Sequence, residues 1–238
     1  LTSSAQDTIL VEIYTDNGII GYGETDTNPW VAKALIDSPG THTMDQSMKD
    51  ILIGKDPLDI DKRWEELYVG TAMTGRRGAG VNAIGAIDMA LWDIKGKHEE
   101  KPVYELMGGN YHETITPYAS LQPLGSSFEE YRDSLVEWAE RAKNLGFKAV
   151  KSEVTMNGPY AHNGMNENDD KHTLVIESVR KALGSEVKLM VDVQYKWKTA
   201  EDALRTVKDW GEFDIYFLET PVWTCLLYTS PSPRDGTK

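Results

Sequence analysis

One cysteine, Cys225, stands in 238 residues, so no disulfide can form within the chain and the small stapled folds of secreted domains are excluded. No apolar run approaches the ~20 residues needed to cross a bilayer. The stretch from Leu1 to Leu10 has neither a basic start nor a long apolar centre, which is not the pattern of a signal peptide. With Leu rather than Met in first place, the expectation is a processed or missing start; the lone cysteine and the lack of a spanning run make a cytoplasmic location the further expectation. Basic residues are also short: 25 Lys and Arg face 38 Asp and Glu, a formal charge of −13. That field repels phosphate backbones and anionic membrane surfaces. Neither nucleic acid nor a membrane is therefore expected as a partner, and a small molecule is. What remains is globular in composition, 40% hydrophobic and 26% charged, with enough apolar content for one large core or two smaller ones.

Two β-rich runs, Ile-Leu-Val-Glu-Ile-Tyr from Ile9 and Ile-Ile-Gly-Tyr-Gly-Glu ending at Glu24, flank Asn17-Gly18. This predicts a hairpin, with both turn residues able to take positive φ. Helical patterns follow from Trp30. Ala83, Ile87, Ala90 and Ile94 recur with helical spacing, widened by Ile84 and Leu91, and Gly96 is the expected C-cap. Met89 and Trp92 read as core. After Gly108-Gly109 the pattern becomes alternating. Strands are predicted at 115–121, 149–154, 187–194 and 215–219, separated by helices at 128–145, 171–183 and 199–210. Such alternation predicts a parallel sheet with helical crossovers. An open nucleotide-binding sheet needs a Gly-rich loop after its first strand, and Leu121-Gln-Pro-Leu-Gly125 lacks the spacing, so half of a (β/α)₈ barrel is preferred. The last segment, 224–238, has no apolar period. Its Leu-Leu-Tyr-Thr-Ser-Pro-Ser-Pro-Arg-Asp core resembles translated adapter or vector sequence, and it reads as a non-native tail.

Polar residues stand at three strand ends where a buried parallel strand should be apolar: Lys151-Ser-Glu153, Asp192-Val-Gln194 and Glu219-Thr-Pro221. Side chains alternate along a strand, so Lys151 is expected to point with Glu153, and Asp192 with Gln194. In a barrel they meet at the C-terminal mouth, where catalysis occurs. The step from residue 151 to 192 is 41 positions and that from 192 to 219 is 27, around the roughly 30-residue βα unit. The longer step holds 157–170, rich in Asn, Gly and Asp, either a cover for the mouth or a solvated surface loop. Taken singly, these charges are compatible with buried ion pairs. Taken together, neighbouring carboxylates are costly unless a cation holds them, and hard oxygen ligands point to Mg²⁺, with Mn²⁺ possible.

Gly85-Ala-Ile-Asp88-Met-Ala-Leu-Trp92-Asp93-Ile-Lys-Gly96-Lys97, with Lys101-Pro102-Val-Tyr-Glu-Leu-Met-Gly108-Gly109, resembles the cap-domain helix of the enolase superfamily, mandelate racemase and muconate-lactonising branch. Gly146-Phe-Lys-Ala-Val-Lys151, Val191-Asp192 and Leu218-Glu219-Thr-Pro221 resemble that branch's second, third and fourth barrel strands in order. The resemblance implies an α/β protein, an α+β capping domain over 1–112 followed over 113–223 by the first half of a (β/α)₈ TIM barrel, truncated before the third metal ligand. It implies an Mg²⁺ enzyme that removes the proton α to a carboxylate through an enolate, with Asp192 and Glu219 as metal ligands and a homo-oligomeric parent. The racemase-like pattern on the second strand is Lys-x-Lys; here it is Lys151 and Glu153. Lys151 can still bind the substrate carboxylate; Glu153 in the base position tells against two-base racemisation or epimerisation, leaves acid-sugar dehydration with a base on a later strand as the better fit, and is itself a candidate base or acid. Gln194, Arg76 and Arg77 are candidate substrate contacts, the two arginines by their place in a cap loop, although paired arginines are more often only solvated. His162 is a candidate by its place in 157–170; His42, His98, His112 and His172 read as surface or helix residues. From a different class comes a further alternative: the chain as given, lacking half a barrel, has open edges and is inactive.

Overall fold

The computed structural model describes residues 7–75 and 78–223, which fall in two compact units, 1–113 and 114–238. Arg76, Arg77 and the 224–238 tail lie outside the described residues.

In the first unit, β1 (Ile9–Tyr14) and β2 (Ile20–Thr25) pair antiparallel, Ile9 opposite Thr25 and Tyr14 opposite Ile20. The connection is longer than the two-residue turn that Asn-Gly suggests. Only Gly18 takes a positive φ, 84°, while the Gly18 N–H donates to Thr15 and the Thr15 N–H to Ile19 (3.2 and 3.0 Å). Helices α1 (Pro29–Asp37), α2 (Met48–Leu52), α3 (Ile60–Gly70), α4 (Ala79–Glu99) and α5 (Val103–Leu106) follow. Asn28 caps α1 by accepting from Trp30 and Val31 N–H. The long helix α4 buries Ala83, Ile84, Ile87, Leu91 and Ile94. Its small residues let β2 lie directly on it: a Cβ on Gly23 would stand 1.9 Å from the Ala86 carbonyl oxygen.

Two expectations fail here. Gly96 does not end α4, which runs on to Glu99 and is closed by left-handed Glu100 (φ 51°); a Cβ on Gly96 would meet the Lys101 carbonyl at 3.0 Å, so glycine there serves a close approach of the returning chain. Met89 is 46% exposed, on the helix face away from the buried row, and Trp92 only borders the core.

The second unit alternates β3 (Ala119–Leu121), α6 (Phe128–Asn144), β4 (Ala149–Glu153), α7 (Asp169–Leu183), β5 (Lys188–Asp192), α8 (Ala200–Val207) and β6 (Ile215–Glu219). All neighbours are parallel and the order is β3-β4-β5-β6. Strands in chain order, each joined to the next by a helix, form the first-half arc of a (β/α)₈ barrel; a doubly wound sheet would reverse its order. The helices begin where the side chains say: Ser127 and Glu130 form a reciprocal capping box on α6, and Asn168 and Thr199 cap α7 and α8. The Asn168 cap starts α7 two residues before the expected Lys171.

The predicted strand at 115–121 shrinks to three residues, because Pro117 has no N–H to donate and Ile115 is 85% exposed. The predicted helix to Trp210 becomes α8 followed by a 3₁₀ turn over Lys208–Phe213. Val150, Leu189 and Val191 face the helices, against Leu135, Val175, Val179 and Leu183. At the opposite ends of the strands, Arg180 donates to the carbonyls of Phe213, Gly184 and Val187 (2.8 Å each) and of Asp214 (3.1 Å), tying loop to loop. Among the described residues, no helix is long and apolar enough to cross a membrane.

Candidate active site

The parallel register puts whole rows of side chains at one level. Lys151, Met190 and Phe217 are paired across β4, β5 and β6, and one pleat further Glu153, Asp192 and Glu219 are paired. Both rows share the sheet face opposite the helix-covered core. The mouth therefore carries three carboxylates side by side over a lysine. Lys151 reaches from its own row to Glu219, Nζ to Oε2 at 2.7 Å, and its Nζ lies 5.3 Å from the Tyr118 ring centre.

Charge and burial oppose each other at these groups. Burial works against the Lys151 charge, but the hydrogen bond and charge of Glu219, with help from Tyr118, hold its pKa above the ordinary lysine value. Burial pushes the Glu153 carboxyl up, the Asp192 charge pushes it further, and Lys151 offsets part of the rise. Asp192 is fixed through one oxygen, its Oδ1 accepting from the Gln194 N–H and from Thr220 Oγ1, each at 3.0 Å.

Asp192 and Glu219 suit a divalent cation: both are hard oxygen donors, and they are register partners at the ends of adjacent strands. They make two ligands where a hard cation takes about six oxygens. Among the described residues, no group of three or more His, Cys, Asp or Glu side chains is arranged to hold a metal ion.

Gln194 reaches the site by a different route from strand alternation. β5 stops at Asp192, Val193 is fully buried, and Gln194 and Tyr195 turn with left-handed backbones, φ 45° and 57°. An open cavity of about 370 Å³ is lined by Asp192, Gln194, Tyr195, Glu219, Thr220 and Tyr160. Tyr160 comes from the 157–170 segment, so that segment contributes a wall to the mouth. It is pinned, with the Glu167 N–H donating to Met156 C=O (2.8 Å) and the His162 N–H to Thr155 C=O (2.9 Å).

His162 itself anchors this segment, Nε2 lying 2.9 Å from the Gly125 carbonyl, and does not line the cavity. His172, expected at a surface or on a helix, is on α7 but wholly buried. Tyr160, Tyr195 and Thr220 were not legible as site residues; the long gap between strands was the only sign of the first. A larger cavity, about 740 Å³, lies in the first unit beside β1, lined largely by apolar side chains such as Ile36, Leu52 and Ile87. Its charged lining mixes both signs, Glu12, Asp16 and Asp56 with Lys49, Lys55 and Arg63, and the mouth, where carboxylates of neighbouring parallel strands gather, is the candidate site.

Residues 1–108 match the family described as Mandelate racemase / muconate lactonizing enzyme, N-terminal domain, and residues 134–228 match Enolase C-terminal domain-like. Among curated relatives, the chain is 32% identical to a D-galactarolactone cycloisomerase of Agrobacterium fabrum, over 90% of this chain and 51% of that protein. It is 29% identical to an arabinonate dehydratase of Saccharolobus solfataricus, over 94% and 55%. A crystal structure of a racemase from Streptomyces coelicolor with bound magnesium superposes with a TM-score of 0.74 at 27% identity, covering 92% of this chain and 56% of that one. The chain thus spans about half the length of the curated relatives it matches. On sequence, strand order and the composition of its barrel mouth, it belongs to the mandelate racemase and muconate lactonizing enzyme branch of the enolase superfamily.

Proposed function

We propose that the protein containing this chain removes the proton α to the carboxylate of a small acid and dehydrates an acid sugar of the aldonate type. The observation that carries the reading is the row Glu153, Asp192, Glu219 with Lys151 bonded into it at 2.7 Å. Asp192 and Glu219 are assigned to hold Mg²⁺, with Mn²⁺ as the substitute. Bound there, the cation would supply positive charge against the negative charge that develops on the substrate carboxylate. Lys151, kept charged by Glu219, is assigned to bind that carboxylate. Glu153, raised toward neutrality by burial and by Asp192, holds or moves a proton as base or acid. Gln194, which lines the cavity with Asp192 and Glu219, is assigned to the substrate's polar groups. Dehydration is preferred to racemisation because an acid stands where a second lysine would serve as base. The arabinonate dehydratase among the relatives supports that choice.

The test uses the protein carried to the full length of its relatives. With Mg²⁺ and an aldonate in D₂O, exchange of the α-proton is expected, and Glu153→Gln is expected to abolish turnover while calorimetric Mg²⁺ binding persists. Turnover unchanged in Glu153→Gln ends the Glu153 assignment. An unsubstituted protein that neither binds Mg²⁺ nor exchanges the proton ends the whole reading.

A further inference from the structure

The turn that carries Gln194 and Tyr195 is built against backbone preference. Both residues are left-handed, as is Thr220 opposite them (φ 45°), and for a residue with a Cβ each such conformation costs about 1 kcal/mol or more. Toward β6 the turn is held by backbone bonds, Tyr195 N–H to Thr220 C=O at 2.6 Å and Trp197 N–H to Pro221 C=O at 3.0 Å.

On its other side the anchor is Lys196, whose side chain is 2% exposed. Its ammonium pairs with Asp169 Oδ1 at 2.7 Å and donates to His172 Nε2 at 3.0 Å. Asp169 also accepts from Thr206 Oγ1 of α8. The tautomer of His172 follows from its neighbours. Nδ1 lies 2.9 Å from the Asn168 carbonyl, which can only accept, so Nδ1 carries the hydrogen. Nε2 then accepts, and it faces two donors, Lys196 Nζ and the Met156 N–H at 3.0 Å. Burial, and then the Lys196 charge, hold the pKa of His172 down at about 4.

The 157–170 segment closes on the same anchor: Gly158 is left-handed (φ 90°), and a Cβ there would meet the Lys196 carbonyl oxygen at 3.2 Å. Two residues on, the Tyr160 ring meets the Tyr195 ring edge-on, centroids 6.0 Å apart.

We propose that Lys196 and His172, both buried, with Asp169 at their partly exposed edge (side chain 39% exposed), form a strut that positions the Tyr160–Tyr195 wall of the cavity over Asp192 and Glu219. Lys196 and His172 are positioning residues: neither lines that cavity, and each acts through the segment it pins. The strut rests on packing and hydrogen bonds, so it stands or falls apart from the reaction assigned to the site.

The test is NMR on the chain with ¹⁵N-labelled imidazoles. His172, identified among the five histidines by the signal that His172→Gln removes, is expected to show a neutral Nδ1–H tautomer from about pH 5 to 8, together with a nuclear Overhauser contact between the Tyr160 and Tyr195 rings. In Lys196→Met the His172 Nε2 resonance is expected to shift and the tyrosine contact to be lost, while the buried methyls of Val150 and Val191 keep their shifts. Lys196→Met leaves Asp169 without its counter-ion, so Lys196→Met/Asp169→Leu, which removes both charges, is measured beside it and is expected to lose the same contact. A protonated or Nε2–H His172 in the unsubstituted chain at pH 7 overturns the proposal, as does a tyrosine contact that survives in both variants.

Discussion

Replacing Tyr131 by phenylalanine removes one oxygen from a side chain that is fully buried in α6. Burial pushes the phenol's pKa up, so at working pH the hydroxyl is neutral and can both give and take a hydrogen bond. It donates to the Glu153 carbonyl at 3.1 Å and accepts from the Thr155 N–H at 2.8 Å. These backbone groups lie where β4 gives way to the loop that walls the site. Phe keeps the ring, so the core loses almost no packing, but the Thr155 N–H is left buried without an acceptor. An orphaned donor of that kind costs about 1–3 kcal/mol. Among the described residues the neighbouring Thr155 Oγ1 has no partner, and it offers no compensating network. We expect about 2 kcal/mol, a change of roughly 30-fold in the folded-to-unfolded ratio. Urea unfolding followed through Trp197 and Trp210, both buried in this unit's core, reads the stability, and amide exchange at Thr155 reads the local bond. A loss below about 0.5 kcal/mol with the Thr155 amide still protected would refute the reasoning, since water or a small shift would then have replaced the hydroxyl.

Gly23→Ala puts a methyl carbon 1.9 Å from the Ala86 carbonyl oxygen and 2.9 Å from the Ala90 nitrogen, backbone atoms of α4 that cannot rotate away. The first unit should lose about 3 kcal/mol, read as a lower urea midpoint, and an unchanged midpoint would show that β2 does not lie on α4 as described. Acid should weaken the second unit in a defined window. The unfolded chain protonates His172 near 6.5, whereas the folded chain keeps it neutral down to about 4, so between those values the unfolded state binds more protons and stability rises with pH. The contribution is complete above about 6.5 and is lost as pH falls to about 4, roughly 3 kcal/mol in all. His172→Gln should flatten that part of a stability–pH curve, and an unaltered slope would assign it to other groups.

The parts of this protein written in its sequence are those set by neighbours a few residues apart. The apolar spacing of α4 and the alternation of strand and helix each rest on bonds or burial that repeat within one element. They sufficed for a parallel arc. The strand-end acids were legible for a similar reason, because a carboxylate in an apolar strand is out of place on any face.

Register and turn geometry were decided in three dimensions. Lys151 meets Glu219, 68 residues away, only because β5 brings β6 into line with β4. Gln194 faces the cavity through two left-handed residues with no glycine to announce them. The same limit hid His172 and Lys196, 24 residues apart. Read alone, one is a helix histidine and the other a loop lysine. Their meaning comes from being buried against each other, and burial belongs to the packing of distant segments, which a local pattern does not carry.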